Sequence, residues 1–461
     1  MSGVERHRGA GSTPGDDGAR SAAREVYAGI LDRAPEHDFA PTLDRVRAVC
    51  ELLGDPQRAF RVVHLTGTNG KTSTSRMVER LIREHGLRTG RFTSPHLTSP
   101  TERIAIDGEP ISDQRFVEVW QEVAPYVHLV DSRSLAEGGP RLSFFEVLTV
   151  MAFAAFADAP VDVAILEVGM GGDWDATNVA DGDVAVISQI AYDHERWLGH
   201  ELTEIAGTKA GIIKDGATVV LADQTHDVEG VILAAAAAHG ARVVREGVDI
   251  AVSSRHVAVG GQLLSLQGLG GLYTEVFLPL YGEHQAHNAL LALVACEALL
   301  NQGAALDGDV VGAAFADVTS PGRLEVVRTS PTILVDAAHN PAGIAALVAA
   351  VEEAFDFTRL VAVVGVLADK DAVGILAGLE PLVAEIVVTT SSSERAMSVE
   401  DLAEVAYDVF GEDRVHIADR LDAAIDVAVG RAESEEQYGA GVIVTGSITM
   451  VADVRILLGR G

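Results

Sequence analysis

The chain has 461 residues, 48% of them apolar and 22% charged, a balance typical of folded domains and unlike that of a disordered chain. At about 150 residues per domain, this length predicts two or three domains with substantial cores. The formal charge is −32, from 35 Lys and Arg against 67 Asp and Glu, and such a surface argues against general nucleic-acid binding.

In chain order, residues 1–20 are rich in Gly, Ser, Arg and Asp without periodicity and read as a disordered tail. They hold no apolar h-region, so no secretory signal is visible. A helix-like stretch over 21–34 follows. Another covers 43–54, with Leu43, Val46, Val49, Leu52 and Leu53 on one face. Residues 61–65 read as a strand, then come a glycine-rich turn and a helix over 71–85. The run 148–157 is among the longest apolar stretches and stops at Asp158, well short of the roughly 18–20 residues of a membrane span. Short buried strands are expected at 161–166 and 184–190, a β-rich piece at about 248–280, and a helix at 287–300. The pattern breaks at Thr319–Arg323. A second series then starts, with strands at 332–335, 360–366, 385–390, 414–418 and 442–445 and helices at 343–355 and 402–410. Ser398 with Asp401 has the spacing of a capping box. Alternating strands and helices predict α/β domains with largely parallel sheets covered on both faces. The boundary falls near residue 320, giving domains over 21–319 and 320–461. Cys50 and Cys296 are too few for a disulfide framework or a zinc cage and read as reduced core thiols of a cytoplasmic protein.

The sharpest chemical signal is His64-Leu-Thr-Gly-Thr-Asn-Gly-Lys-Thr-Ser73, between a strand and a helix. Glycines let the backbone approach a polyphosphate, and amides at a helix start point at the anion. Lys71 supplies a point charge for the β- and γ-phosphates, and Thr72 or Ser73 a hydroxyl for Mg²⁺ or phosphate. The glycine spacing is one residue off the general P-loop pattern. Only four of the 35 cations are lysines: Lys71, Lys209, Lys214 and Lys370. That scarcity marks each lysine as a candidate for chemistry that arginine cannot do. Lys214 is expected at the surface. Glu167 ends an apolar strand, where a carboxylate is well placed to hold Mg²⁺. Asp193-His194 is read as ending a third strand, with His194 either a metal or phosphate ligand or a structural histidine. Residues 336–341 (DAAHNP), read alone, are a turn and a helix cap.

Taken together, TGTNGKTS, TSPHL (93–97), ERI (102–104), FFE (144–146), LEVGMGG (166–172), DATN (175–178), DH (193–194), KAGII (209–213), GEHQAHNA (282–289), PGR (321–323), DAAHNP (336–341), DKD (369–371) and TGS (445–447) resemble the folylpolyglutamate synthase/dihydrofolate synthase family of the Mur ligase superfamily. The resemblance spans about residues 43–454. It implies a P-loop-type, mostly parallel sheet domain followed by a smaller Rossmann-like domain. It also implies an ATP-dependent ligase joining L-glutamate to dihydropteroate or a reduced folate, or both, through an acyl phosphate. Carried over position by position, Gly67, Thr68, Asn69, Gly70, Lys71, Thr72 and Ser73 would cradle ATP, with Asn288, Arg323 and Asp336 as further ATP contacts. Ser94, Glu167 and His194 match positions holding two Mg²⁺ ions. Lys209 matches a lysine that becomes a carbamate, which turns a cation into an anion able to face Mg²⁺. Arg45, Phe145, Glu146, Asp175 and His339 match the substrate side. Small-molecule partners, no nucleic acid, no membrane and a monomeric state are expected.

Two departures stand out. Asp173 replaces the arginine usual after the two glycines, and Thr208 replaces the glutamate usual before the carbamate lysine; Ala337 and Trp174 are smaller changes. The ATP motifs are intact, so these changes bear on the acceptor and on the metal's surroundings. A Mur-type ligase acting on a cell-wall precursor is a second reading, set against SPHL, FFE and DATN. A non-catalytic ATP-binding paralogue is a third, set against the retained Lys71, Glu167, His194 and Lys209.

Overall fold

The computed structural model describes residues 14–33, 41–434 and 439–460. The expected tail lies outside these residues up to position 13. From there it is helical: α1 (Pro14–Leu31) begins seven residues before the expected start and packs on the long α4 (Asp113–Ala136). Ile30 and Ala23 are buried in that contact, and burial of an apolar face is what holds a helix in place. After α2 (Asp44–Leu52), strand β1 (Arg61–Thr66) lies in an eight-stranded sheet with β2 (Thr89–Phe92), β3 (Ile104–Ile106), β4 (Glu109–Pro110), β5 (Val163–Glu167), β6 (Val184–Ile187), β7 (Thr218–Leu221) and β8 (Arg242–Arg245). The order is β4-β3-β2-β5-β1-β6-β7-β8, and only β3 and β4 run antiparallel to their neighbours.

Both faces are covered. On one, α3 (Lys71–Glu84) packs against α9 (Glu283–Asn301), whose Leu290, Leu291, Leu293 and Val294 are fully or almost fully buried. On the other lies α5 (Phe144–Asp158), started by a capping box of Ser143 and Glu146 and apolar nearly all round, as a fully packed helix must be. In chain order, a three-stranded antiparallel meander follows β8 and precedes α9: β9 (Ala251–Ala258), β10 (Gly261–Gln267) and β11 (Leu272–Leu278), which is the expected β-rich piece.

A second sheet follows from β12 (Glu325–Thr329), β13 (Thr332–Val335), β14 (Arg359–Val364), β15 (Glu385–Val388), β16 (Val415–Ile417) and β17 (Ala440–Thr445). Its order is β12-β13-β17-β14-β15-β16, parallel except for the β12 edge. Helix Val399–Phe410 starts at Ser398, whose side chain accepts from the Asp401 amide, the first half of the expected box.

In the first sheet the chain leaves β1 toward β2 on one side and reaches β6 on the other. Open α/β sheets bind ligands outside the carboxyl ends of the strands at such a switch. The carboxyl ends of β1, β2, β5 and β6 deliver residues 67–73, 94, 167 and 188–194 to one crevice.

Candidate active site

The Gly-rich turn after β1 is clamped from the strand beside it. Ser188 Oγ donates to the Asn69 carbonyl at 2.7 Å, the Thr68 amide donates to Gln189 O at 3.0 Å, and Thr68 Oγ1 donates to Ala191 O at 2.9 Å. These approaches demand glycine. A Cβ on Gly67 (φ +142°) would lie 1.8 Å from Ser188 Oγ, and one on Gly70 (φ +89°) 2.5 Å from Asn288 Oδ1. Helix α3 starts at Lys71 with no side-chain cap, which leaves its first amides for an anion.

Lys71 Nζ donates to Gly67 O at 3.0 Å and Thr68 O at 3.1 Å, folded back along the loop. Burial pulls its amine down, opposed by Glu167 and Asp193. Thr72 Oγ1 is 2.8 Å from Glu167 Oε1 and donates to that carboxylate. Burial raises the Glu167 carboxyl, while Lys71, the Thr72 bond and Arg323 hold it down. Ser94 follows β2, and since Phe92 pairs with Leu166, it lies beside the end of β5 that carries Glu167. His194 was expected at a strand end but lies in the loop seven residues beyond β6. It is left-handed (φ 54°) and precedes the short α6 (Glu195–Leu198). Desolvation in the cleft brings its imidazole down to about 3, so it is neutral.

Lys209 is buried near the end of α7 (Leu202–Ala210), and its Nζ donates to the same Gly67 carbonyl at 2.8 Å. Burial and the nearby Lys71 charge bring this amine down to about 7. Gly67, Lys71, Gly171, His194 and Lys209 line one cleft. Lys214, expected at the surface, is instead half-buried and donates to Asn178 O at 2.8 Å.

The second lobe closes the crevice. Asp336, just past β13, accepts from the amides of Leu324 at 2.7 Å and Ala338 at 2.8 Å. Burial raises its carboxyl against the pull of Arg323, whose charge also reaches Glu167 and Lys71. Asn340 caps α11 (Pro341–Ala354) and also spans the junction, its Oδ1 accepting from Asn69 Nδ2 at 3.1 Å. His339 Nε2 lies 3.5 Å from Asp193 Oδ2. Lys370 Nζ meets Asp193 Oδ1 at 2.5 Å. The sequence reading gave Asp193, Asn340 and Lys370 no role of their own; the scarcity of lysine was the signal for Lys370.

The expected substrate residues divide. The Phe145 ring lies against Gly169, where a Cβ would sit 2.7 Å from its Cζ. Asp175 accepts from the Gly169 and Met170 amides at 3.0 and 3.1 Å. Both residues therefore shape the 168–172 turn. Arg45 and Glu146 form a buried pair at 2.9 Å, and Glu146 also accepts from the Ser143 amide, so the fold already gives them a structural task. Asp173 is exposed, and its backbone carries its contacts: its amide donates to Thr208 O and its carbonyl accepts from Asn178.

Among the described residues no cluster of three His, Cys, Asp or Glu could hold a metal, and no helix is long and apolar enough to cross a membrane. The donors present still suit Mg²⁺, which takes few protein ligands and completes its shell with water and phosphate oxygens. A buried carboxylate, hydroxyls and a neutral imidazole beside a phosphate-binding turn fit that demand.

Residues 123–296 match the Mur ligase middle domain, and residues 322–448 the Mur ligase glutamate ligase domain. The chain is 52% identical over 452 residues to a dihydrofolate synthase/folylpolyglutamate synthase of Mycobacterium tuberculosis, covering 94% of this chain and 93% of that one. It is 31% identical to the Bacillus subtilis protein of the same name, covering 90% and 94%. Among solved structures, a Mycobacterium tuberculosis folylpolyglutamate synthase complexed with ADP superposes with a TM-score of 0.92 at 50% identity, over 96% of this chain and 99% of that one. Escherichia coli FolC, in complex with DHPP and ADP, superposes with a TM-score of 0.82 at 28% identity, over 96% and 98%.

Proposed function

The chain belongs to the folylpolyglutamate synthase/dihydrofolate synthase family, and we propose that its interlobe cleft joins L-glutamate to dihydropteroate, to a reduced folate, or to both, at the expense of ATP. The observation that carries this reading is the convergence on the Gly67 turn of two lysines and Asn288 from one lobe, with Asn340 bonded to it and the Arg323 charge reaching Lys71 from the other. The division at residue 320 then separates a nucleotide lobe from a lobe that closes on it.

The amides of residues 67–73 receive the phosphates, and Asn288, Arg323 and Asp336 hold the rest of the nucleotide. Lys71 leaves its resting bonds to Gly67 and Thr68 and places its charge on the γ-phosphoryl group. The acceptor carboxylate attacks that phosphorus, ADP leaves, and an acyl phosphate forms. The α-amine of glutamate then attacks the acyl carbon, loses a proton, and expels phosphate. Positioning and charge neutralisation provide most of the acceleration in such transfers. Ser94, Glu167 and His194 would hold Mg²⁺, which when bound neutralises phosphate charge. Lys209 is the candidate carbamate, because burial leaves a substantial neutral fraction of its amine to react with CO₂ near neutral pH. Phe145 and Asp175 shape the acceptor side, and His339 reaches it from the second lobe. Closure of the lobes excludes water from the acyl phosphate. One chain bounds the whole cleft, so the reading needs no second copy. Two buried free cysteines accord with the cytoplasm.

The test is phosphate release with ATP, Mg²⁺ and L-glutamate, comparing 7,8-dihydropteroate, a reduced folate and no acceptor, with product masses. Release that needs an acceptor and is abolished by Lys71→Ala is expected. Turnover with both acceptors marks a bifunctional enzyme. Absence of release with either overturns the reading in favour of a changed acceptor or a non-catalytic paralogue.

A further inference from the structure

His64 is fully buried in the middle of β1, on the face of the sheet opposite Val63 and Leu65. Its Nε2 lies 2.8 Å from Thr177 Oγ1. The Thr177 hydroxyl in turn lies 2.5 Å from Asp175 Oδ1, which also accepts the Thr177 amide at 3.0 Å. The other oxygen of Asp175 accepts the amides of Gly169 and Met170. Burial raises the Asp175 carboxyl, but three backbone amides that can only donate already point at its two oxygens and favour the carboxylate, so the single hydroxyl hydrogen of Thr177 goes to Asp175. The hydroxyl must then accept from His64, which fixes the hydrogen of the imidazole on Nε2. Nδ1 is left bare, buried and without a hydrogen-bond partner. Burial and the charge of Lys214 bring this imidazole down to about 3, so the neutral tautomer persists throughout the physiological range.

We propose that His64 is a positioning residue for the acceptor: through Thr177 and Asp175 it sets the Gly169 and Met170 amides that shape the acceptor wall of the cleft. The relay ends on the turn packed against Phe145. The phosphate turn lines the same cleft and meets this turn through Thr66 Oγ1, which donates to Gly171 O at 2.7 Å, but its other clamps run to residues 188–191 and lie outside the relay. The inference rests on the acceptor-side reading given above.

Two variants test it. His64→Leu removes the donor, whereas His64→Gln retains an N–H close to the Nε2 position. Losing one buried hydrogen-bond partner costs about tenfold in affinity, so His64→Leu should raise the acceptor KM by about that factor or more. The ATP KM should rise less than the acceptor KM, because the clamps of the phosphate turn to residues 188–191 stay in place, and His64→Gln should recover most of the loss because it restores the donor. In the ligand-free protein, the Gly169 and Met170 amides should exchange with deuterium about tenfold faster in His64→Leu than in wild type, and near the wild-type rate in His64→Gln. Equal rises in both KM values, an unchanged acceptor KM, or no recovery with Gln overturn the proposal. If His64→Leu fails to fold, Thr177→Val, which keeps the side-chain shape and removes the hydroxyl, is held to the same outcomes. If wild type uses neither acceptor, the functional reading has failed, and the exchange rates still decide whether the relay holds the turn.

Discussion

At Lys209 two demands meet in one atom. Carbamate formation needs a neutral amine: the nitrogen lone pair attacks CO₂, an N–C bond forms, and a proton leaves to solvent. An exposed lysine is almost wholly protonated at neutral pH. Here burial and Lys71 bring the amine down to about 7, so the reactive neutral form grows as pH rises through that value. With ¹³C-bicarbonate, a carbamate signal should be weak at about pH 6 and strong at about pH 8, following the neutral fraction. Lys209→Ala should remove the signal and lower turnover by about a hundredfold or more, the scale of losing one preorganised electrostatic group. A small carboxylate such as acetate should restore part of that turnover by filling the place of the missing anion. Full activity of Lys209→Ala without rescue would sink the assignment. Arginine could not replace this residue, because its guanidinium stays protonated. That is a physical reason for a lysine to persist in a chain that holds only four.

Strand β2 shows what an element can hide from its sequence. All four residues of Thr89–Phe92 are buried, yet only Phe92 is a large apolar side chain. Arg91 is 2% exposed and donates through Nε to Glu79 Oε2 of α3 at 2.6 Å, and its Nη1 reaches Thr93. Removing one partner of a buried pair leaves the other charge uncompensated, so Arg91→Met should destabilise the protein by about 3–5 kcal/mol. The double variant Arg91→Met/Glu79→Leu should recover much of that loss, because apolar replacements of buried pairs are often neutral. Denaturant unfolding of the two variants checks both statements, and equal stabilities would mean that the pair carries no coupling. Strands β1, β5, β6, β13 and β14 were legible, because strands buried on both faces of a parallel sheet read as short apolar runs. Strand β2 was not, since its burial depends on a partner on another element. Residues 14–20 were misread for a related reason: their helix is held by packing on α4, a contact that composition does not record. The glycine-rich turn between β1 and α3 was legible, because glycine, lysine and hydroxyl spacing are local. The bonds of Asp193, Lys370 and Asn340 were not, for they join segments far apart in the chain.

At the scale of the whole molecule, Asp193 is one of the charged ties between the lobes, another being the ion pair of Arg255 in β9 with Glu353 in α11. It belongs to the nucleotide lobe, and it takes Lys370 Nζ at 2.5 Å, Asn340 Nδ2 at 3.1 Å and His339 from the other lobe. Burial alone would raise its carboxyl; the His339 bond and the charge of Lys370 instead hold it well below the usual carboxylate range. Ser73 with Ser320 at 3.0 Å and Asn69 with Asn340 add two neutral ties nearby. Both Lys370 and Asp193 are 7% exposed at their side chains, so salt screens this pair far less than a surface one. Lys370→Met therefore leaves a buried carboxylate short of its strongest partner, a loss of about 3–5 kcal/mol concentrated at the junction. The expected outcome is a larger radius of gyration by small-angle X-ray scattering in the nucleotide-free protein, with glutamate-dependent turnover falling more than nucleotide binding. Nucleotide binding survives in part because the phosphate turn is clamped within its own lobe by Ser188 and Ala191. A Lys370→Met protein with an unchanged scattering curve and unchanged turnover would show that the remaining ties, the Arg255–Glu353 pair among them, suffice. An equal fall in nucleotide binding would place Lys370 on the nucleotide rather than on the junction.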